Sequence, residues 1–584
     1  MKKLTVLLLS LTALLVFSLL PAGAAIPASE GVLDYAYAAP GGSVENIEEL
    51  IAAFGSDDFG KPNAQKINGS DTEIRILNTV ILQSPIIIKT GSYRIVGGGC
   101  TIARGFDSGS LIVLDGTTGQ NPTLELERDY GSEYGESDEA NIIIDGNSGE
   151  HPLSDSALIS VKGNASLTLN SRVLFRGAVS SGSGGALSIT ASLNEETQYY
   201  PTVKIYACRF TECHAGSGGA IYFNGMASGK SGGSLVVEKS YFTGCSADND
   251  GGALYTLGGR IALGSVSFDE NQAARGGAAY ICSEAELNGI SMNDNTASES
   301  GGGIYCGKDD TSGEMCEMSI INIMALGNHS DGDGGLISNY GVVVVSAFYS
   351  DGNTASGNGG SVYNAGSFAY TEGSIINGEC GGKGGGVYST SSGVFIMSGG
   401  EINANRASFG GGVYSEGYFE MSGGAIGNNR GGVPEVIFKG EITMSGSAVV
   451  TKNNIIGLCI YKDKDGNEII PVIKLQGELT NLAVQTAAFY RETEDGYSAA
   501  NASGLKLFEG DKAYIDSAVK VFKIEGGFFS SYGIDTDGTL YYKFPVMPIW
   551  AWALTLIGVG AAAAAVLIIL KKKQKKRETK TELN

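Results

Sequence analysis

The sequence predicts an all-β solenoid, a parallel β-helix of about sixteen coils. A capping helix precedes it, a β cap follows it, and one transmembrane helix follows the cap. Three observations carry this reading. Glycine makes up 88 of 584 residues while proline supplies only 12. A five-residue phrase returns through the middle of the chain at a near-constant interval. Both ends differ in composition from everything between them.

The ends come first. Lys2 and Lys3 precede an apolar run from Leu4 to Leu20, then Pro21 and a small-residue stretch, the pattern of an export signal over residues 1–25. Near the other end, Ile549 to Leu570 carries no charge and is long enough to span a bilayer as a helix. Trp550 and Trp552 sit at its outer edge, and a basic cluster from Lys571 to Arg577 follows. The expected topology is therefore single-pass. The body lies outside the cell, the plasma membrane is met through the C-terminal helix, and residues 571–584 form a basic cytoplasmic tail.

Charge excludes one class of partner. The chain carries a net charge of −22, and removing the signal and the tail leaves about −29 on the body. Such a surface repels nucleic acid. The nine cysteines have no Cys-x-x-Cys pair, and the three histidines lie far apart, so no metal or cofactor is expected.

The repeated phrase reads Gly218-Gly219-Ala220-Ile221-Tyr222, with further copies beginning at Gly251, Gly276, Gly301, Gly359, Gly384 and Gly410 and weaker ones at Gly184 and Gly334. Successive starts lie 34, 33, 25, 25, 33, 25, 25 and 26 residues apart. The unit is thus 25 residues with three insertions, two of which directly follow Tyr222 and Tyr305. Leucine-rich repeats share the period but need spaced leucines and a helix, which this stretch lacks. Three short strands and three turns remain.

A second phrase, an apolar residue followed three positions later by Asn or Cys, precedes the first. Its copies are Phe210/Cys213, Phe242/Cys245, Phe268/Asn271, Met292/Asn295, Ile402/Asn405 and Ile426/Asn429. Coils returning every 4.8 Å or so would stack the apolar members inside and let the amides bond along the axis. In the first phrase, alternation points the fourth residue inward and the tyrosine outward. Tyr222, Tyr255, Tyr280, Tyr305, Tyr363, Tyr388 and Tyr414 then form a ladder, either as plain inter-coil stacking or as an aromatic platform for sugar rings.

The remaining boundaries follow. Val44, Ile47, Leu50, Ile51 and Phe54 share one helical face, so residues 26–70 read as an N-terminal cap. Coils fill 71–480, with regular repeats at 175–430, and 481–545 forms the C-terminal cap.

The paired phrases resemble the repeats of the polymorphic outer-membrane protein family, most cleanly at Phe268, Asn271 and Gly276-Gly277-Ala278. More broadly the chain resembles the pectate-lyase-like superfamily. That resemblance implies a right-handed β-helix and an adhesin-like surface protein, although a helical span stands where the family has an autotransporter barrel. The expected function is a non-catalytic, adhesin-like or glycan-binding bacterial surface rod whose partners are host or matrix glycans or proteins. The alternative is a surface polysaccharide lyase or glycoside hydrolase. For that alternative Asp248, Asp250, Asp294, Asp331, Asp333 and Arg275 are the nearest candidates, although turn chemistry accounts for the aspartates. Cys306 and Cys316 bracket an insertion and form a candidate disulfide pair. Stacked free thiols are the competing reading, since Cys282 follows Tyr280 as Cys306 follows Tyr305.

Overall fold

The computed structural model describes residues 36–128, 142–147, 149–151, 155–308, 315–432, 434–451, 453–493, 496–524 and 531–543. These residues build a parallel β-solenoid. One column of seventeen strands runs from Gly42–Val44 to Phe522–Ile524, each strand paired in parallel with the next. It contains the glycine phrases and is here termed the first column. A second column runs from Glu73–Ile76 to Phe508–Glu509, and a third from Ala36–Ala39 to Val449–Val450. Nine short strands, from His214–Ser217 to Arg430–Gly432, add a fourth column to the regular coils. At about 4.8 Å per coil the stack is about 75–80 Å long.

The two glycines of each phrase answer different demands. Gly276 takes φ +65° at the turn, a left-handed conformation that disfavours a Cβ. Gly277 has ordinary φ, but a Cβ there would lie 2.2 Å from the carbonyl oxygen of Gly302 in the next coil. One glycine bends the chain and the other lets the coils approach. The turn before Asn271, Asn295 and Asn405 also needs a left-handed residue. Glu270 (φ 57°), Asp294 (φ 54°) and Ala404 (φ 59°) supply it, bearing the steric cost that glycine would avoid.

Both ends of the stack are covered. The helix Ile47–Ala53 buries Ile47, Leu50 and Ala53 against the first coils, and its Asn46 cap accepts the N–H of Glu49 at 3.0 Å. At the other end the helix Lys512–Val521 buries Ile515, Ala518 and Val521. The first helix packs on the strand Gly42–Val44 and the second on Ile473–Leu479 and Phe522–Ile524, which shields apolar ends of the stack.

The structure corrects the sequence reading here. The C-terminal cap contains a ten-residue helix as well as strands. Among the described residues no helix is long and apolar enough to cross a membrane, and the two helices have seven and ten residues. The span expected at Ile549–Leu570 and the signal expected at 1–25 lie outside the described residues. Among the described residues the fold is therefore a solenoid with two short helices, and the anchored, single-pass, cell-surface topology expected from hydropathy finds no support there.

Three insertions leave the rod at the same turn, after first-column strands. Two are hairpins, Ser192–Asn194 with Thr197–Tyr199 and Met226–Ala227 with Lys230–Ser231. The third is marked by the antiparallel bridge of Lys308 to Met315.

Candidate functional site

The residues singled out by sequence lie in ladders parallel to the rod axis. Phe175, Phe210, Phe242 and Phe268 stack inside with ring centroids 4.9, 4.7 and 5.0 Å apart. Met292 continues the column in register with Phe268.

Beside them runs an asparagine ladder. The main-chain N–H and the side-chain amide of Asn271 both donate to Oδ1 of Asn295, at 3.0 and 2.9 Å. Asn295 repeats this toward Asn328, and Asn328 toward Asn353. A second stretch joins Asn405, Asn429 and Asn454. Each amide also satisfies a carbonyl of the preceding coil, as Asn295 does for Phe268 at 2.9 Å. Cys213 and Cys245 occupy the start of this row. The Cys245 thiol donates to the Phe210 carbonyl at 3.6 Å, the same bond that Asn271 makes to Phe242.

Sequence reasoning missed Asn328, Asn353 and Asn454, whose phrases lack a large apolar partner, as well as a second buried polar row. There Asn339 donates to Asn364 at 2.8 Å, and Asn364 to Ser389 at 3.1 Å. The signal was available, since Asn or Ser directly follows the phrase in those coils.

All seven predicted tyrosines lie in one stack. Tyr222, Tyr255, Tyr280 and Tyr305 are parallel, with centroids 4.9 to 5.1 Å apart. The phrase beginning at Gly334 carries Ser338 at the tyrosine position, and Tyr340 fills the gap, 5.2 Å from Tyr305 and 5.9 Å from Tyr363. Tyr388 and Tyr414 continue the row. Its far end is closed by Tyr497, which meets Phe409 edge-on and whose hydroxyl lies 2.5 Å from that of Tyr414. Burial raises the phenol of Tyr305 to about 12 and likewise raises Tyr280, Tyr363, Tyr388 and Tyr414.

This geometry bears on the expected sugar platform. Stacking on a sugar requires a ring face open to solvent. Here the faces are turned along the axis and spent on one another, and Tyr280, Tyr388 and Tyr414 are buried. The adhesin-like role and the glycan or protein partners expected from the sequence thus find no support in the structure.

The charged candidates are committed in the same way. Arg275 makes two hydrogen bonds to Asp250, at 2.7 and 3.0 Å, and lies over the rings of Tyr280 and Tyr305. Asp333 accepts the main-chain N–H and the side-chain amide of Asn358, at 2.6 and 3.1 Å. Asp294 is a left-handed turn residue.

The fourth column also brings together groups that the sequence kept apart. His214 lies 2.9 Å from the Ser246 hydroxyl and 3.7 Å from Asp248, and His329 lies 2.7 Å from Thr354 and 3.1 Å from Asp331. The hydroxyl–imidazole–carboxylate order resembles a nucleophilic triad, but the N–H groups of Ser246 and Thr354 already bond Cys213 and Asn328 of the preceding coils. They cannot serve as oxyanion donors. No group of three or more His, Cys, Asp or Glu side chains placed to hold a metal occurs among the described residues.

No family model matches the chain, and no curated protein or solved structure matches it. The resemblance of the paired phrases to the polymorphic outer-membrane protein repeats and to pectate lyases is accordingly not sustained. What stands is the repeating parallel ladder itself.

Proposed function

We propose that the protein is a structural strut, a stiff solenoid that holds its two ends a fixed distance apart. The observation carrying this reading is the direction of its contacts. Tyrosine faces, asparagine amides and the Asp250–Arg275 pair are each spent on the coil above or below. Such contacts add stiffness along the axis, because every coil is bonded to its neighbours by side chains as well as by the main chain. The caps support the same reading, since a strut of defined length must not polymerise.

Electron–electron resonance distances between spin labels on Glu45→Cys and Asp511→Cys test it. Both positions are exposed, while the native thiols are all buried. A strut gives one narrow distribution near about 75 Å, shortened by about 4.8 Å when residues 276–300, one full period, are excised. A broad distribution, or a distance indifferent to the excision, would overturn the reading.

A further inference from the structure

Four of the nine cysteines fall into two pairs with different surroundings. Cys213 and Cys245 stand on neighbouring coils with their thiols turned to main-chain carbonyls, of Thr211 at 3.7 Å and Phe210 at 3.6 Å. They act as amide substitutes at the head of the asparagine ladder. Cys306 and Cys316 are placed otherwise. Cys306 ends the strand Ile304–Cys306, and Cys316 immediately precedes the strand Glu317–Leu326. Between them Lys308 bridges Met315 antiparallel, and the N–H of Cys316 donates to the carbonyl of Gly307 at 3.1 Å. The insertion therefore leaves and re-enters the rod at one point. Both side chains turn into the core there and are fully buried. They converge on Gly341 of the next coil. A Cβ on that glycine would lie 3.0 Å from the Cβ of Cys316 and 3.1 Å from the Sγ of Cys306. Gly341 is thus the space that the two cysteines fill.

We propose that Cys306 and Cys316 form a disulfide that staples the base of the third insertion, while Cys213 and Cys245 remain thiols. The oxidant is a small disulfide of the glutathione class. The Cys316 thiolate attacks it, forming a mixed disulfide and releasing one glutathione thiolate. The Cys306 thiolate then attacks the mixed disulfide and releases the second. Two thiol protons leave with the two glutathiones, so one small disulfide is reduced for each bond formed. The link closes before the coil packs, because both sulfurs are covered once Gly341 is in place. Its consequence is local. Gly307 abuts the ring of Tyr280, where a Cβ would meet the phenolic oxygen at 2.6 Å. A fixed base therefore holds Gly307 against the tyrosine ladder.

The test is refolding of the full chain in a glutathione redox buffer, followed by alkylation in denaturant, digestion and mass spectrometry without reduction. The expected product is a linked species containing Cys306 and Cys316, lighter by two hydrogens than the two peptides together, with Cys213 and Cys245 alkylated. The Cys316→Ser chain should give Cys306 alkylated without reduction. Recovery of Cys306 and Cys316 both alkylated from natively folded chain, or a Cys213–Cys245 link in their place, would overturn the proposal. So would a Cys306 that stays blocked in the Cys316→Ser chain.

Discussion

The guanidinium of Arg275 is held by the carboxylate of Asp250 from the preceding coil, through hydrogen bonds of 2.7 and 3.0 Å, while its plane covers two tyrosine rings. The carboxylate is 14% exposed and the guanidinium 38% exposed, so solvent screening tempers the pair. Asp250→Asn keeps the shape and removes the charge. It should cost about 1–2 kcal/mol in denaturant unfolding, less than breaking a fully buried pair would. A change within error would mean that the pair is ornamental.

The asparagine row predicts different outcomes at two of its positions. Asn295→Ala strips acceptors from the N–H and amide of Asn271 and a donor from the Phe268 carbonyl. Such buried orphans cost about 1–3 kcal/mol each, so the variant should unfold at markedly lower temperature. Cys245→Asn instead extends the ladder by one amide and should be neutral or mildly stabilising. Calorimetry of both variants checks the account, which fails if the signs are reversed.

Backbone geometry gives a second pair of opposed variants. Gly277→Ala drives a Cβ into the Gly302 carbonyl and should destabilise by about 3 kcal/mol or more. Ala404→Gly relieves a left-handed alanine and should stabilise by about 1 kcal/mol. The linear dependence of unfolding free energy on urea measures both.

The tyrosine stack predicts alkaline sensitivity. Burial lifts the phenol of Tyr305 from 10.0 to about 12 and raises Tyr280 and Tyr363 as well. Above pH 10 the unfolded chain gives up phenolic protons that the folded chain keeps, so stability falls with rising pH. The contribution is whole below about pH 10 and is lost as pH climbs through about 12. Circular dichroism and tyrosinate absorbance should therefore change together in one transition above pH 10. Tyrosinate appearing well before β structure is lost would show that the stack is open to solvent.

Most of the solenoid was legible because its demands are local and repeat. A left-handed turn needs Gly276, close coils need Gly277, and an inner turn needs Asn271 or Asn295. Each demand leaves the same letter every 25 or so residues. What escaped depends on relations between coils. Tyr340 enters the ladder only because Ser338 leaves a vacancy there, and no spacing rule within one coil announces that. Tyr497 closes the row from 83 residues away. Alternation placed the tyrosines outside the coil, as the structure does, but outward direction is not an exposed ring face. In-register stacking turns each face toward the next ring, and the sugar platform lapses for that reason.

Pulling on the two ends of the rod, one molecule at a time, tests the strut most directly. Coils bonded only to their neighbours should yield one after another. The account predicts a regular series of force peaks whose contour-length spacing, about 80–90 Å, equals one extended period of 25 residues. Extension without resolved peaks, or release of the whole stack in a single step at low force, would contradict it.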